Sequence, residues 1–318
     1  MVCCWSFGMF GQVMFERLMQ STGRTIYTMY TQGIGAIINI ILDPVFIFTL
    51  NMGVKGAAVA TVIGQIVAFG IAVVLNERKN ADVRLKLREF RPDARMIGQI
   101  YAIGVPSVIM MAIGSVMTFL MNKILISYTR GKETAATVFG VYFKLNRFVF
   151  MPVFGLNNGV IPIIAYNYGA KKRGRMIRAI KVSLCCALSF MAVGTILFMA
   201  VPQVLLGLFD ATEMMLSIGI PALRIIASTF LIASVCIVLG SVFQALGFGV
   251  YSMIVSLARQ LIVLVPVAWL LARIGQSTGN DNLVWISYPI AEIVSAAVTA
   301  VLFIRLYKNV IAKVPDGE

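Results

Sequence analysis

Residues 37–46 read IINIILDPVF, an apolar run that holds one amide, Asn39, and one carboxylate, Asp43. The run belongs to a longer apolar segment, roughly 26–49. Seven more such segments follow, at 53–75, 97–128, 135–167, 179–201, 215–243, 250–272 and 283–304. A helix needs about 20 predominantly apolar residues to cross a bilayer. Of the 318 residues, 59% are hydrophobic and only 13% are charged. The chain therefore reads as an all-α polytopic membrane protein. A ninth run, residues 1–15 (MVCCWSFGMFGQVMF), is short for a span. It lacks the basic start and small-residue cleavage site of a signal peptide, and reads as the end of a helix that begins upstream. Seven of the ten prolines fall inside spans, which predicts bent or broken helices.

The net charge of +14 is concentrated in a few loops. Residues 16–25, 76–96, 168–181 and 305–318 carry 18 Lys and Arg, against four on the opposite side (Lys55, Arg130, Lys132 and Arg273). The positive-inside rule puts the richer side, and with it the C-terminus, in the cytoplasm of a cell that carries the protein in its plasma (inner) membrane. No basic stripe interleaved with aromatics points to nucleic acid. Histidine is absent, which removes His-based proton relays, Ser-His-Asp and Cys-His catalysis and most zinc sites. The five cysteines, Cys3, Cys4, Cys185, Cys186 and Cys236, lie in apolar runs without metal-ligand or redox spacing, and read as buried small hydrophobes. The acids within spans are isolated, which argues against an intramembrane enzyme; no cofactor is expected.

An internal repeat organises the chain. At an offset of 224, QSTGRTIYTM (20–29) lies over QALGFGVYSM (244–253), pairing Gln20 with Gln244, Gly23 with Gly247, Tyr27 with Tyr251 and Met29 with Met253. A weaker match sets GVKGAAVATVIG (53–64) over LVWISYPIAEIV (283–294). Internal symmetry of this kind is common in secondary transporters, whose sites lie near the repeats' interface. The offset predicts a six-plus-six architecture of which this chain holds the last nine helices, about three fewer than the whole.

The stretches QSTGRT, IINIILDPVFIF, GVKGAAVATVIGQ, FGLNNGVIPIIAYNYGAKKRGR (154–175) and SVFQALG (241–247), in this order, resemble the multidrug and toxic compound extrusion (MATE) family of cation-coupled antiporters. The resemblance covers the whole chain. It implies twelve helices in two six-helix lobes around a cleft that opens alternately outward and inward. On that frame residues 1–75 are the remainder of the N-terminal lobe (family helices 4–6), and 76–96 a cytoplasmic linker that reads as a hinge. Residues 97–305 are then the C-terminal lobe (helices 7–12) and 306–318 a cytoplasmic tail.

A carboxylate within a span costs ~2.5–3.5 kcal/mol on insertion scales, and such residues usually face a protein interior on an ion or proton path. Asn39 and Asp43 are four apart and share a helix face. Amide and carboxylate oxygens suit Na⁺, or a proton exchanged for it. Pro44 has no N–H to donate, which frees a carbonyl one turn earlier, and Thr61 in the next span adds a hydroxyl. The resemblance implies the same three positions, Asn39, Asp43 and Thr61, as the cation site of the N-terminal lobe. It also implies an acid on the family's first helix that this chain does not contain. Offset by 224, Asn39 and Asp43 fall on Val263 and Val267, and the span 97–128 holds no acid, which favours a DinF-like over a NorM-like arrangement. In the second half, Glu292 has Arg259 or Arg224 as candidate partners, and Lys144 is a candidate cleft residue.

The leading expectation is a monomeric antiporter that exports organic, cationic or amphiphilic compounds in exchange for Na⁺ or H⁺. The alternatives are flipping of lipid-linked precursors, which would call for a cavity lined by several basic residues, and a truncated fragment that transports nothing.

Overall fold

The computed structural model describes residues 6–83, 93–129 and 132–315. Cys3, Cys4 and Arg130 lie outside the described residues, as do 84–92 of the expected linker and 316–318 of the expected tail. The described residues are helical throughout, joined by short turns. The chain divides into two compact units, 1–92 and 93–318.

The N-terminal unit holds α1 (Phe7–Ser21), α2 (Thr25–Pro44) and α3 (Gly53–Lys79). Pro44 closes α2, and the chain continues as a π-helical turn, Val45–Thr49. The Leu50 N–H donates to the Val45 carbonyl five residues back at 3.0 Å. The break expected at Pro44 is thus one wide turn rather than an end to the span. The buried face of α3 recurs at every fourth residue: Gly56, Ala60, Gly64, Ala68, Ala72 and Asn76. Small residues at that spacing let helices approach backbone to backbone. A Cβ on Gly56 would lie 2.6 Å from the Phe46 carbonyl oxygen, and one on Gly64 would lie 3.0 Å from the Gly35 carbonyl oxygen.

The C-terminal unit holds α4 (Ala94–Tyr128), α5 (Lys132–Gly169), α6 (Arg173–Ala200), the short α7 (Pro202–Gly207), α8 (Glu213–Ala227), α9 (Phe230–Ala245), α10 (Gly249–Leu257), α11 (Val265–Thr278) and α12 (Ser287–Asn309). A π-helical segment, Ala258–Leu264, joins α10 to α11. Its main core packs Phe139, Phe198, Phe230 and Trp285, with Phe230 edge-on to both Phe150 and Phe198 at 5.2 Å between centroids.

Among the described residues, seven helical segments are long and apolar enough to cross a membrane, or eight if α8 and α9 form one bent span. Apolar side chains such as Met111, Phe148 and Val301 point outward, as they do in hydrocarbon. The bend between α8 and α9 is 50° and falls at Ser228–Thr229, not at Pro221. The Ser228 and Thr229 hydroxyls donate to the Ile225 and Ile226 carbonyls at 2.7 Å each, which competes with continuation of the helix. Cys236 is buried as expected, but Cys185 is exposed on the outer face of α6.

At the matched turns the repeat holds bond for bond, although the two π segments fall at unmatched positions. The Gly23 and Arg24 N–H groups donate to the Gln20 and Met19 carbonyls at 3.0 and 2.8 Å; those of Gly247 and Phe248 donate to Gln244 and Phe243 at 3.1 and 2.8 Å. Both glycines have positive φ, 76° and 85°. This is the glycine-ended helix terminus in which the last carbonyls are satisfied by a reversed turn.

Candidate functional site

In the N-terminal unit the α2–α3 crossing brings the three expected residues together. The Asn39 amide nitrogen lies 3.5 Å from Asp43 Oδ1 and 3.3 Å from Thr61 Oγ1. With the amide turned over, its nitrogen meets Asp43 Oδ2 at 3.3 Å and its oxygen accepts from the Thr61 backbone nitrogen at 3.2 Å. Either way Asn39 bridges Asp43 to Thr61. The Thr61 hydroxyl donates to the Ala57 carbonyl at 2.9 Å, which leaves its oxygen lone pairs turned outward. Gly64 makes the approach possible: a Cβ there would already stand 3.6 Å from the Asn39 Cβ. The amide oxygen, the carboxylate and the hydroxyl form a hard-oxygen set of the kind that takes Na⁺ or exchanges a proton.

A second carboxylate in this unit was missed by the charge-counting reading, which assigned residues 16–25 to a loop. The helix α1 runs through that boundary to Ser21, and Glu16 on it is only 4% exposed. Glu16 Oε1 accepts from Gln12 Nε2 at 2.8 Å and from Thr31 Oγ1 at 3.0 Å, and Oε2 accepts from Gln32 Nε2 at 2.8 Å. Among the described residues no Lys or Arg pairs with it. Its charge is held by neutral donors alone, each charge-assisted bond contributing roughly 1.5–3 kcal/mol. The signal was present: Gln12 stands one turn before Glu16, and Thr31-Gln32 sits two turns before Asn39 on the same face of α2. Gln12 and Gln32 also line a cavity of about 220 Å³ whose other walls include Asn39, Thr61 and Gln65. Neutral partners of both acids, Gln12 and Gln32 for Glu16 and Asn39 for Asp43, thus face one cavity, although neither carboxylate lines it.

In the C-terminal unit Arg259, on the π segment, donates from Nη1 to Glu292 Oε1 on α12 at 3.1 Å. Of the two candidate partners of Glu292, Arg259 is the one the fold supplies; Arg224 is exposed at the end of α8. Lys144 is exposed too, its ammonium 5.5 Å from the centre of the Phe209 ring, and lines neither of the two cavities that share Arg259. The same helix, α5, supplies Tyr142 and Asn146 to the smaller cavity instead.

Residues 106–270, more than half of the chain, match the MatE family. The chain belongs to the MatE family. It is similar to the multidrug export protein MepA of Staphylococcus haemolyticus (29% identical over 281 residues, 88% of this chain and 60% of the relative). It is also similar to MepA of Staphylococcus saprophyticus (27% over 294 residues, 92% and 63%). The chain thus spans less than two thirds of the length of these relatives. Among solved structures, the outward-facing conformation of a multidrug resistance MATE family transporter superposes with a TM-score of 0.84 at 24% identity, covering 94% of this chain and 66% of that one. A MOP superfamily transporter from Pyrococcus furiosus, described as having a binding pocket of reverse polarity, gives a TM-score of 0.80 at 26% identity, covering 92% and 64%. The MATE fold of the helices is thereby established, in a family of membrane transporters rather than enzymes.

Proposed function

We propose that the chain works as a secondary antiporter of the cell membrane that exports organic, cationic or amphiphilic compounds in exchange for Na⁺ or H⁺. The observation that carries the reading is the convergence of Asn39, Asp43 and Thr61 at 3.3–3.5 Å within membrane-length helices. A carboxylate held by neutral groups changes its net charge when a cation or proton arrives, and that change is what couples ion entry to a movement of the lobe. Glu16 extends the same path by a second exchangeable charge. The absence of an acid among residues 97–128 supports a DinF-like arrangement, with coupling concentrated in the N-terminal lobe, residues 1–75. On this reading the basic loops, the 76–96 linker and the C-terminus are cytoplasmic, and the transporter acts as a monomer. The likeness to MepA supports export of drug-like molecules.

Lipid-linked precursor flipping is the weaker reading. Among the described residues, Arg259 is the one basic residue on the two cavities that share it, and it is neutralised by Glu292.

The test is efflux of a fluorescent cationic dye from a pump-deficient bacterium under imposed Na⁺ and pH gradients. The chain is expressed as it stands and with any coding sequence found in frame upstream, each with and without Asp43→Asn. Gradient-driven efflux that Asp43→Asn abolishes is the expected result. Efflux indifferent to Asp43→Asn would move coupling away from this site.

A further inference from the structure

We propose that the C-terminal unit carries a ligand site of its own, centred on Arg259 and Glu292 and built for a zwitterionic amphiphile. The inference rests on the reading that the protein handles amphiphilic organic molecules, and adds the charge type and the place.

Two cavities, of about 170 and 450 Å³, both have Arg259 and Gln260 in their walls, so a single polar seam runs through them. Ligand pockets commonly run from about 300 to 1,000 Å³. Polar atoms along the seam are buried yet unpartnered. Glu292 Oε2, the Tyr288 hydroxyl and Asn146 Oδ1 are so on the smaller cavity, and Asn157 Oδ1 on the larger. The residues Glu292, Tyr288 and Asn157 are all more than nine-tenths buried. Such atoms destabilise a fold unless something meets them. Four along one seam mark a surface shaped for a partner.

The repeat shows that the space is a departure from a closed crossing. At the offset of 224, Arg259 stands where the N-terminal unit has Gly35, and there a Cβ would already be 3.0 Å from Ala68. The unit that closes its crossing with glycine binds no bulky group at that point. The other props it open with an ion pair and a π turn.

Charge selects the occupant. The pair is neutral as a whole, but it is divided: the guanidinium has five donors, of which one nitrogen is engaged on Glu292 Oε1, while Glu292 Oε2 is an open acceptor. A cation alone meets Arg259. An anion alone leaves Oε2 unmet. A molecule with both an anionic and a donor-bearing cationic group satisfies both, and the phenyl rings of Phe150, Phe154 and Phe230 receive its apolar body.

Purified protein in detergent is titrated into rhodamine 110, a zwitterion whose cationic end carries N–H donors, and into its methyl ester rhodamine 123, the same ring system with positive charge alone, with fluorescence anisotropy as readout. The wild type is expected to bind rhodamine 110 at least tenfold more tightly. Arg259→Gln should erase the difference and Arg259→Lys should keep most of it. Gly240→Leu, which projects into the larger cavity and leaves the pair intact, should weaken both dyes at least tenfold. Equal affinity for the two dyes, no binding of either, a preference that survives Arg259→Gln, or binding unchanged by Gly240→Leu overturns the proposal. Repetition in phosphatidylethanolamine and phosphatidylglycerol nanodiscs separates the sources of the ligand. Displacement of rhodamine 110 only by the zwitterionic lipid makes a headgroup the occupant, and retention in both makes it a solute. Binding needs no gradient, so these outcomes stand apart from whether Asp43 couples transport.

Discussion

Gly56→Ala adds one methyl group where α3 meets the π turn after Pro44. The new Cβ would sit 2.6 Å from the Phe46 carbonyl oxygen and 2.7 Å from its carbon. Carbon–oxygen contacts settle at about 3.3–3.6 Å, so the crossing must open by roughly 0.7–1 Å. The obstacle is backbone and cannot rotate aside as a side chain would. Overpacking of this kind costs about 1–3 kcal/mol. Alanine also favours the helix over glycine by up to about 1 kcal/mol, which masks part of the clash. Gly70→Ala on the same helix removes that ambiguity, because a Cβ at Gly70 meets nothing within 4 Å. Both variants gain the same propensity, and their difference isolates the clash. In detergent, thermal unfolding followed by circular dichroism should place Gly70→Ala at or above the wild type and Gly56→Ala below it, separated by about 1–3 kcal/mol. If the two variants melt together, α3 does not approach the π turn at backbone distance, and the reasoning from its small-residue stripe fails at this end.

Glu16→Gln should keep the fold, since an amide oxygen can accept from Gln12 and Thr31 and the Gln32 amide can turn over. Glu16→Ala strands those donors, although Thr31 can fall back on the Thr28 carbonyl at 2.9 Å; a loss of about 2–4 kcal/mol in thermal stability is expected. Both should lose gradient-driven efflux, and a Glu16→Gln protein that pumps normally would confine coupling to Asp43. Thr61→Val removes a ligand oxygen with little change of shape and should raise the half-saturating Na⁺ or proton concentration for efflux about tenfold, equivalent to ~1.4 kcal/mol; unchanged ion dependence would remove Thr61 from the site. Gly23→Ala and Gly247→Ala, at φ of 76° and 85°, should each cost about 1–2 kcal/mol in thermal stability and by similar amounts; a large difference between them would show that the matched turns are not equivalent.

The parts of this protein legible in its sequence are those written in local pattern. Span positions followed from apolar length, and the Gly23 and Gly247 turns from the repeat. Asn39 and Asp43 were legible from their spacing, and Thr61 from the family resemblance. Glu16 was lost because loop boundaries were drawn at the first charge, whereas a buried carboxylate needs only neutral donors from a neighbouring helix, and those stand 15 and 16 residues away. The choice of Arg259 over Arg224 depends on which face of a helix a residue occupies at a crossing, and the π segment at Ala258–Leu264 shifts that face in a way no regular period predicts. The bend at Ser228–Thr229 was hidden behind the more conspicuous Pro221. Its cause is two hydroxyls returning to their own helix.

The stripe of glycine and alanine along α3 has one more consequence. Glycine and alanine have no rotamers to lose, so the seam forms without side-chain entropy loss. Nothing along it can repack to blur the spacing between the two helices. The backbones that carry Asn39 and Thr61 are accordingly held at a spacing set by their own contact. On the reading proposed above, a cation that sheds its water there finds two helices that need not shift to meet it, and only the side chains have to turn.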